Sequence, residues 1–157
     1  KKAQVVETTG SRTRLNIMGA LNLNDIGSTV IREYDTINSL SICQFFIAIR
    51  EAYPVTQKVH IILDGAGYHR AELVQDWAVV MNIELHWLPP YSPNLNPIER
   101  LWKVMNELVR NNYYFATAKE FKENIHHFFS DTLPGLAGSL SCRINDHFQK
   151  MKNASSS

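Results

Sequence analysis

The stretch KVHIILDGAGYHR, residues 58–70, decides the fold. Lys58 to Leu63 is a nearly continuous apolar run of strand length, the pattern of a strand buried on both faces. It stops at Asp64-Gly65-Ala66-Gly67, and His69 to Met81 then reads as a helix, with Leu73, Trp77 and Val80 spaced along one face. Ile83 to Leu88 is a second short strand. Two strands joined through a helix pair in parallel with a right-handed crossover. Ligand sites in such sheets lie beyond the carboxyl ends of the strands, and Asp64 stands at such an end.

Upstream, Thr13 to Leu23 and Ser28 to Tyr34 flank the turn Asn24-Asp25-Ile26-Gly27 and predict a β-hairpin. Thr36 to Ser39 can cap a helix over Leu40 to Ala52, whose apolar face comprises Leu40, Ile42, Cys43, Phe46, Ile47 and Ile49. Pro54 follows its end. Downstream, Pro89 to Pro97 is a proline-rich loop, and Pro97 suits the first turn of a helix running to about Val109. Lys119 to Phe129 predicts another helix, broken near Pro134-Gly135, with a last helix over Ser139 to Lys150. The order is that of an α/β protein, a mixed sheet flanked by helices, in one domain over residues 1–152 with a frayed polar tail at 153–157.

Composition is that of a soluble globular protein: 45% apolar, 20% charged, net charge +1. No apolar run approaches a membrane span and nothing near Lys1 reads as a signal peptide. The charge gives no electrostatic footprint for nucleic acid. Cys43 and Cys142 lie far apart without metal-ligand spacing and read as buried reduced thiols. The chain starts at Lys1 without Met, which reads as a fragment or a processed product.

Asp64 has two readings, a turn residue beside Gly65 or a ligand for a hard divalent cation. Glu99 lies just inside the helix that Pro97 starts, where the helix dipole alone favours a carboxylate. The four prolines between His86 and Trp102 (HWLPPYSPNLNPIERLW) stiffen the loop that presents Glu99, and metal sites need preorganised ligands.

Asp64-Gly65-Ala66-Gly67-Tyr68-His69, followed by LPPYSPNLNPIERLW at residues 88–102, resembles the DDE domain of the IS630 group of insertion-sequence transposases, within the Tc1/mariner superfamily. The 34 residues between Asp64 and Glu99 match the spacing of that group, and Gly19-Ala20-Leu21 also resembles its pattern. The resemblance spans roughly residues 13 to 130. It implies an RNase H-like fold, phosphoryl transfer at DNA ends, and two Mg²⁺ or Mn²⁺ ions held in part by Asp64 and Glu99. It further implies DNA as partner, self-association, no membrane, and a cytoplasmic, nucleoid-associated bacterial protein. As DNA contacts it offers His69, Tyr91, Ser92, Asn94, Arg100 and Lys103. His69 can equally pack at its helix start. Asn96 reads as a loop brace, Trp102 as core, and Arg100, Lys103 and Arg110 as solvated surface unless DNA meets them. His126 and His127, adjacent on a helix, point apart and do not chelate one ion.

The family has a third acidic ligand on a central strand upstream of the hairpin, and here that strand is expected to be missing. Lys1 to Ser11 reads as the connection after it, and Asp25 and Asp35 are poorly placed as substitutes. An incomplete site with little or no activity by itself follows, together with unpaired sheet edges. Two other readings are a DNA-binding or assembly derivative without catalysis, and a different RNase H-like nuclease acting on RNA–DNA hybrids.

Overall fold

The computed structural model describes residues 3–7, 14–65, 67–90, 92, 95–110 and 117–144. Strand β1 (Ala3–Glu7) pairs antiparallel with β2 (Arg14–Ala20), and β2 pairs antiparallel with β3 (Val30–Tyr34). The expected hairpin is β2–β3, in register Asn16 to Tyr34 and Ala20 to Val30. Ala3–Glu7, read from sequence as a connection, is instead a strand. Val5-Val6 supplies the β-branched pair that favours extended backbone, and the β2 edge supplies its hydrogen-bonding partners.

Helix α1 (Ser39–Glu51) opens with a capping box: the Ser41 N–H donates to the Asn38 side chain, and the Asn38 N–H donates to Ser41 Oγ. Strands β4 (Val59–Leu63) and β5 (Ile83–Trp87) pair in parallel across helix α2 (Glu72–Val80), as the strand–helix–strand pattern predicts. Asn82 makes the turn into β5 with φ 56°, a left-handed conformation that asparagine tolerates. Helices α3 (Ile98–Met105), α4 (Ala118–His127) and α5 (Leu133–Leu140) complete the described chain, with single π-helical turns at Asn106–Arg110 and Phe128–Thr132.

Two cores lie on opposite faces of β2, as strand alternation requires. Met18 and Ala20 face α1, joined by Phe45, Phe46, Ile61, Leu63 and Val74. Leu15 and Ile17 face α3, α4 and α5, joined by Leu101, Trp102, Phe121, Phe128 and Leu133. Each such side chain contributes about 1.5–3 kcal/mol on leaving water. Buried Arg50 donates to the carbonyls of Met81, Asn82 and Pro54, tying the end of α1 to the α2–β5 turn. Among the described residues no ladder joins β2 to β4, so the strands form two sheets, β1-β2-β3 and β4-β5.

Five expectations are corrected. β4 is buried on one face only: Ile61 and Leu63 are buried but Ile62 is 53% exposed, because the second core sits over β2 rather than over β4. On α2 the buried stripe is Val74 and Ala78, while Leu73, Trp77 and Val80 are exposed. The helix starts three residues later than expected, and small Ala78 lets α1 approach. The chain does not break at Pro134-Gly135. Pro134 falls in the first turn of α5, where its missing N–H costs nothing. Cys43 is buried as expected, but Cys142 is exposed. The last helix expected over Ser139 to Lys150 does not form in its described part, since α5 ends at Leu140 and residues 141–144 turn; the rest of it and the tail lie outside the described residues.

Candidate active site

Asp64 follows the last residue of β4, where the ladder is extended by the Leu88 N–H donating to Leu63 O at 2.9 Å. Its side chain is 34% exposed, and His69 Nδ1 lies 2.8 Å from Asp64 Oδ1 and 3.0 Å from Asp64 O. His69 itself is buried, with 1% exposure. A short 3-10 turn over Gly67–His69 folds the imidazole back beneath the strand end. Protonated on Nδ1, it donates to both oxygens and fixes the carboxylate rotamer. It thus packs at the start of the helical segment, behind Asp64, rather than facing outward. Arg70, which the sequence reading did not single out, lays its guanidinium across Gly65 and 5.7 Å from the Trp87 ring centroid.

Glu99 is the second residue of α3, half-buried, with its N–H donating to Asn96 O at 3.1 Å. Asn96 is buried, its Oδ1 lies 3.4 Å from the Ile98 N–H, and it serves as the loop brace expected of it. What fixes α3 is Trp102. A Cβ on Gly19 would lie 2.7 Å from two atoms of its indole, so β2 and α3 approach as closely as a glycine allows. Trp102 is therefore core, edge-on to Phe129 at 5.9 Å.

Of the other residues named from sequence, Ser92 is half-buried with its hydroxyl donating to Pro90 O at 3.3 Å, Arg100 is half-buried and Lys103 is exposed. Tyr91 and Asn94 lie outside the described residues. The side chain of Arg110 does too. His126 lies 3.8 Å from Glu33 and His127 pairs with Asp131 at 2.7 Å, so the two diverge as expected. Among the described residues neither Asp64 nor Glu99 falls in a group of three or more His, Cys, Asp or Glu side chains close enough to share a metal ion. A cavity of about 370 Å³ lies between the segment after β2, strand β4 and the start of α3, lined by Leu21, Leu23, Ile61, Ile62, Leu88 and Ile98 among others.

The family model of the DDE superfamily endonucleases matches residues 1–122. The chain belongs to that family. It is 21% identical over 130 residues to the insertion element IS630 uncharacterized 39 kDa protein of Shigella sonnei, covering 82% of this chain and 38% of that protein. An uncharacterized protein, y4pE/y4sA, of Sinorhizobium fredii (strain NBRC 101917 / NGR234) is 37% identical over 67 residues, 43% of this chain and 45% of that one. The chain thus spans less than half the length of these curated relatives. The fold is RNase H-like. The Mos1 transposase catalytic domain with raltegravir and Mg superposes with TM-score 0.68 at 16% identity, over 94% of this chain and 83% of that one. The Mos1 strand transfer complex gives TM-score 0.64 at 17% identity, over 92% and 47%. No helix among the described residues is long and apolar enough to cross a membrane.

Proposed function

We propose that this DDE domain carries out transposase-type phosphoryl transfer on DNA, cutting transposon ends and joining them to a target, with Asp64 and Glu99 as metal ligands. What supports the reading is a strand-end Asp held by a buried His, together with a Glu in the first turn of a helix that Gly19 and Trp102 bring close to β2. Both donors are carboxylate oxygens, which suit hard divalent cations such as Mg²⁺ or Mn²⁺. Two such ions would activate the attacking water or 3′-hydroxyl and stabilise the leaving oxygen. The chain's own residues orient the carboxylates, while Arg70, Arg100 and Lys103 offer charge to DNA phosphates. Tyr91, Ser92 and Asn94 belong to the proline-rich stretch of the sequence motif and are the further DNA contacts proposed.

We further propose that the site is incomplete within the described residues. Both edges of β2 are taken, by β1 and β3, so a further extended segment bearing the third carboxylate would pair at the outer edge of β1 or of β4. Without it, two ligands hold metal weakly, and a DNA-binding or assembly role without catalysis is the second reading. An unpaired sheet edge also favours self-association, and a DNA-acting protein of this type would work in the bacterial cytoplasm at the nucleoid.

Nicking of supercoiled plasmid in Mn²⁺ tests this. The chain alone is expected to nick near background. Strong nicking abolished by Asp64→Asn would keep the activity and overturn the incompleteness. Nicking that survives both Asp64→Asn and Glu99→Gln would overturn the site assignment.

A further inference from the structure

The outer face of the β4–β5 pair, left uncovered because the second core sits over β2, carries His60, Glu84 and His86. Register brings them together: His60 stands opposite Glu84, and His86 opposite Ile62, two residues along the same face. Their side chains converge. His60 Nδ1 and His86 Nε2 are 3.0 Å apart, His60 Nδ1 is 3.5 Å from Glu84 Oε2, and His86 Nε2 is 3.9 Å from Glu84 Oε1.

We propose that these three residues form a binding site for a borderline transition-metal ion of the Zn²⁺ class, separate from the carboxylate site. Zinc bonds of about 2.0–2.1 Å in a tetrahedron place neighbouring donor atoms about 3.4 Å apart; the His60–His86 and His60–Glu84 separations bracket that value, and one donor atom from each of the three residues lies within 4.8 Å of the others. Two imidazoles and one carboxylate are the ligand set of many three-residue zinc sites with an open fourth position. The same set suits Mg²⁺ poorly, since that ion takes oxygen ligands. Asp64 lies four residues beyond His60, about 13 Å along the strand, so the two sites do not share a ligand. Backbone rigidity favours the site too. Ile61 and Leu63 anchor the opposite face of β4 in the core, so the ligands project from a fixed scaffold. Lys58 Nζ, 4.0 Å from Glu84 Oε2, is the competitor a metal would displace.

The competing account is a surface cluster in which one neutral imidazole donates to the other and Glu84 serves its basic neighbours. Titration with Zn²⁺ by calorimetry, and with Co²⁺ by visible absorption, separates the two. Expected is one equivalent bound, with the intense absorption of four-coordinate cobalt. Loss of a residue that only hydrogen-bonds to a metal ligand costs a metal site about 10–100-fold in affinity, so His60→Gln or His86→Gln is expected to cost at least that. Glu84→Gln should weaken binding, and Asp64→Asn should leave it intact. All three ligands are exposed, so the variants should keep the wild-type circular dichroism. Binding that is equal in wild type and the His60→Gln/His86→Gln double variant, binding lost in Asp64→Asn, or no binding would each overturn the proposal.

Discussion

Gly19→Ala is the most informative single change. The added methyl would sit 2.7 Å from Cζ2 and Cη2 of Trp102 and 3.1 Å from Ile98 Cδ1, against the 3.4 Å at which ordinary contact begins. The indole cannot swing away, because Trp102 is 3% exposed and meets Phe129 edge-on. Overpacking of this kind costs about 1–3 kcal/mol, and replacing a strand glycine by alanine returns about 0.5–1 kcal/mol. The rigid neighbour argues for the upper part of the cost, so a net loss of about 1–2 kcal/mol is expected. For a chain of this size that lowers the melting temperature by roughly 3–6 °C. Trp102→Phe removes the ring atoms in conflict, together with a buried indole N–H that has no hydrogen-bond partner among the described residues. In the double variant the two changes should therefore be less than additive by about 1–2 kcal/mol. Urea unfolding followed by far-ultraviolet circular dichroism reads all four corners of the cycle. Additive losses, or a neutral Gly19→Ala, would refute the close approach that positions α3 and with it Glu99.

Two further outcomes follow from the geometry. His69→Ala removes the buried donor to Asp64 and should weaken Mn²⁺ binding about 10–100-fold, as loss of a partner to a metal ligand does; titration calorimetry reads it, and unchanged affinity would mean His69 is only packing. Burial pushes the Cys43 thiol above its ordinary value of 9.0 and walls it off. The neutral thiol is thus favoured in the fold, and its contribution to stability is present below pH 9 and lost as pH rises beyond it. Alkylation monitored by mass spectrometry should modify exposed Cys142 first and reach Cys43 only on unfolding. Simultaneous labelling would contradict the packing of α1.

Much of this was legible in the sequence because it rests on local signals. The apolar run Thr13 to Leu23, the turn at Asn24-Asp25 and the alternating run Ser28 to Tyr34 predicted the β2–β3 hairpin, and the strand–helix–strand pattern predicted the parallel pair β4–β5. The proline loop gave the start of α3. The motifs at residues 64–69 and 88–102, with the spacing of Asp64 and Glu99 in support, carried the resemblance to the family. What stayed hidden depends on which element covers which face. An apolar run such as Val59 to Leu63 reads the same whether one or both faces are buried, so the exposure of Ile62 was invisible. Val74 and Ala78 were chosen over Leu73 and Trp77 by the approach of α1, a tertiary matter. Pro134 looks like a helix breaker until the π-helical turn at Phe128–Thr132 sets it in a first turn. In the site, the hold of His69 on Asp64 needs the 3-10 turn, and the His60–Glu84–His86 cluster needs the strand register, since 26 positions separate its histidines.

The central claim is that Asp64 and Glu99 hold metal together. The most direct measurement is paramagnetic broadening by Mn²⁺ of backbone amide resonances, made in the His60→Gln/His86→Gln background so that the second proposed site is silent. The account predicts that amides around Asp64 and Glu99 broaden first and in parallel, and that Asp64→Asn abolishes broadening at both. Broadening confined to one of the two, or unchanged by Asp64→Asn, would contradict it.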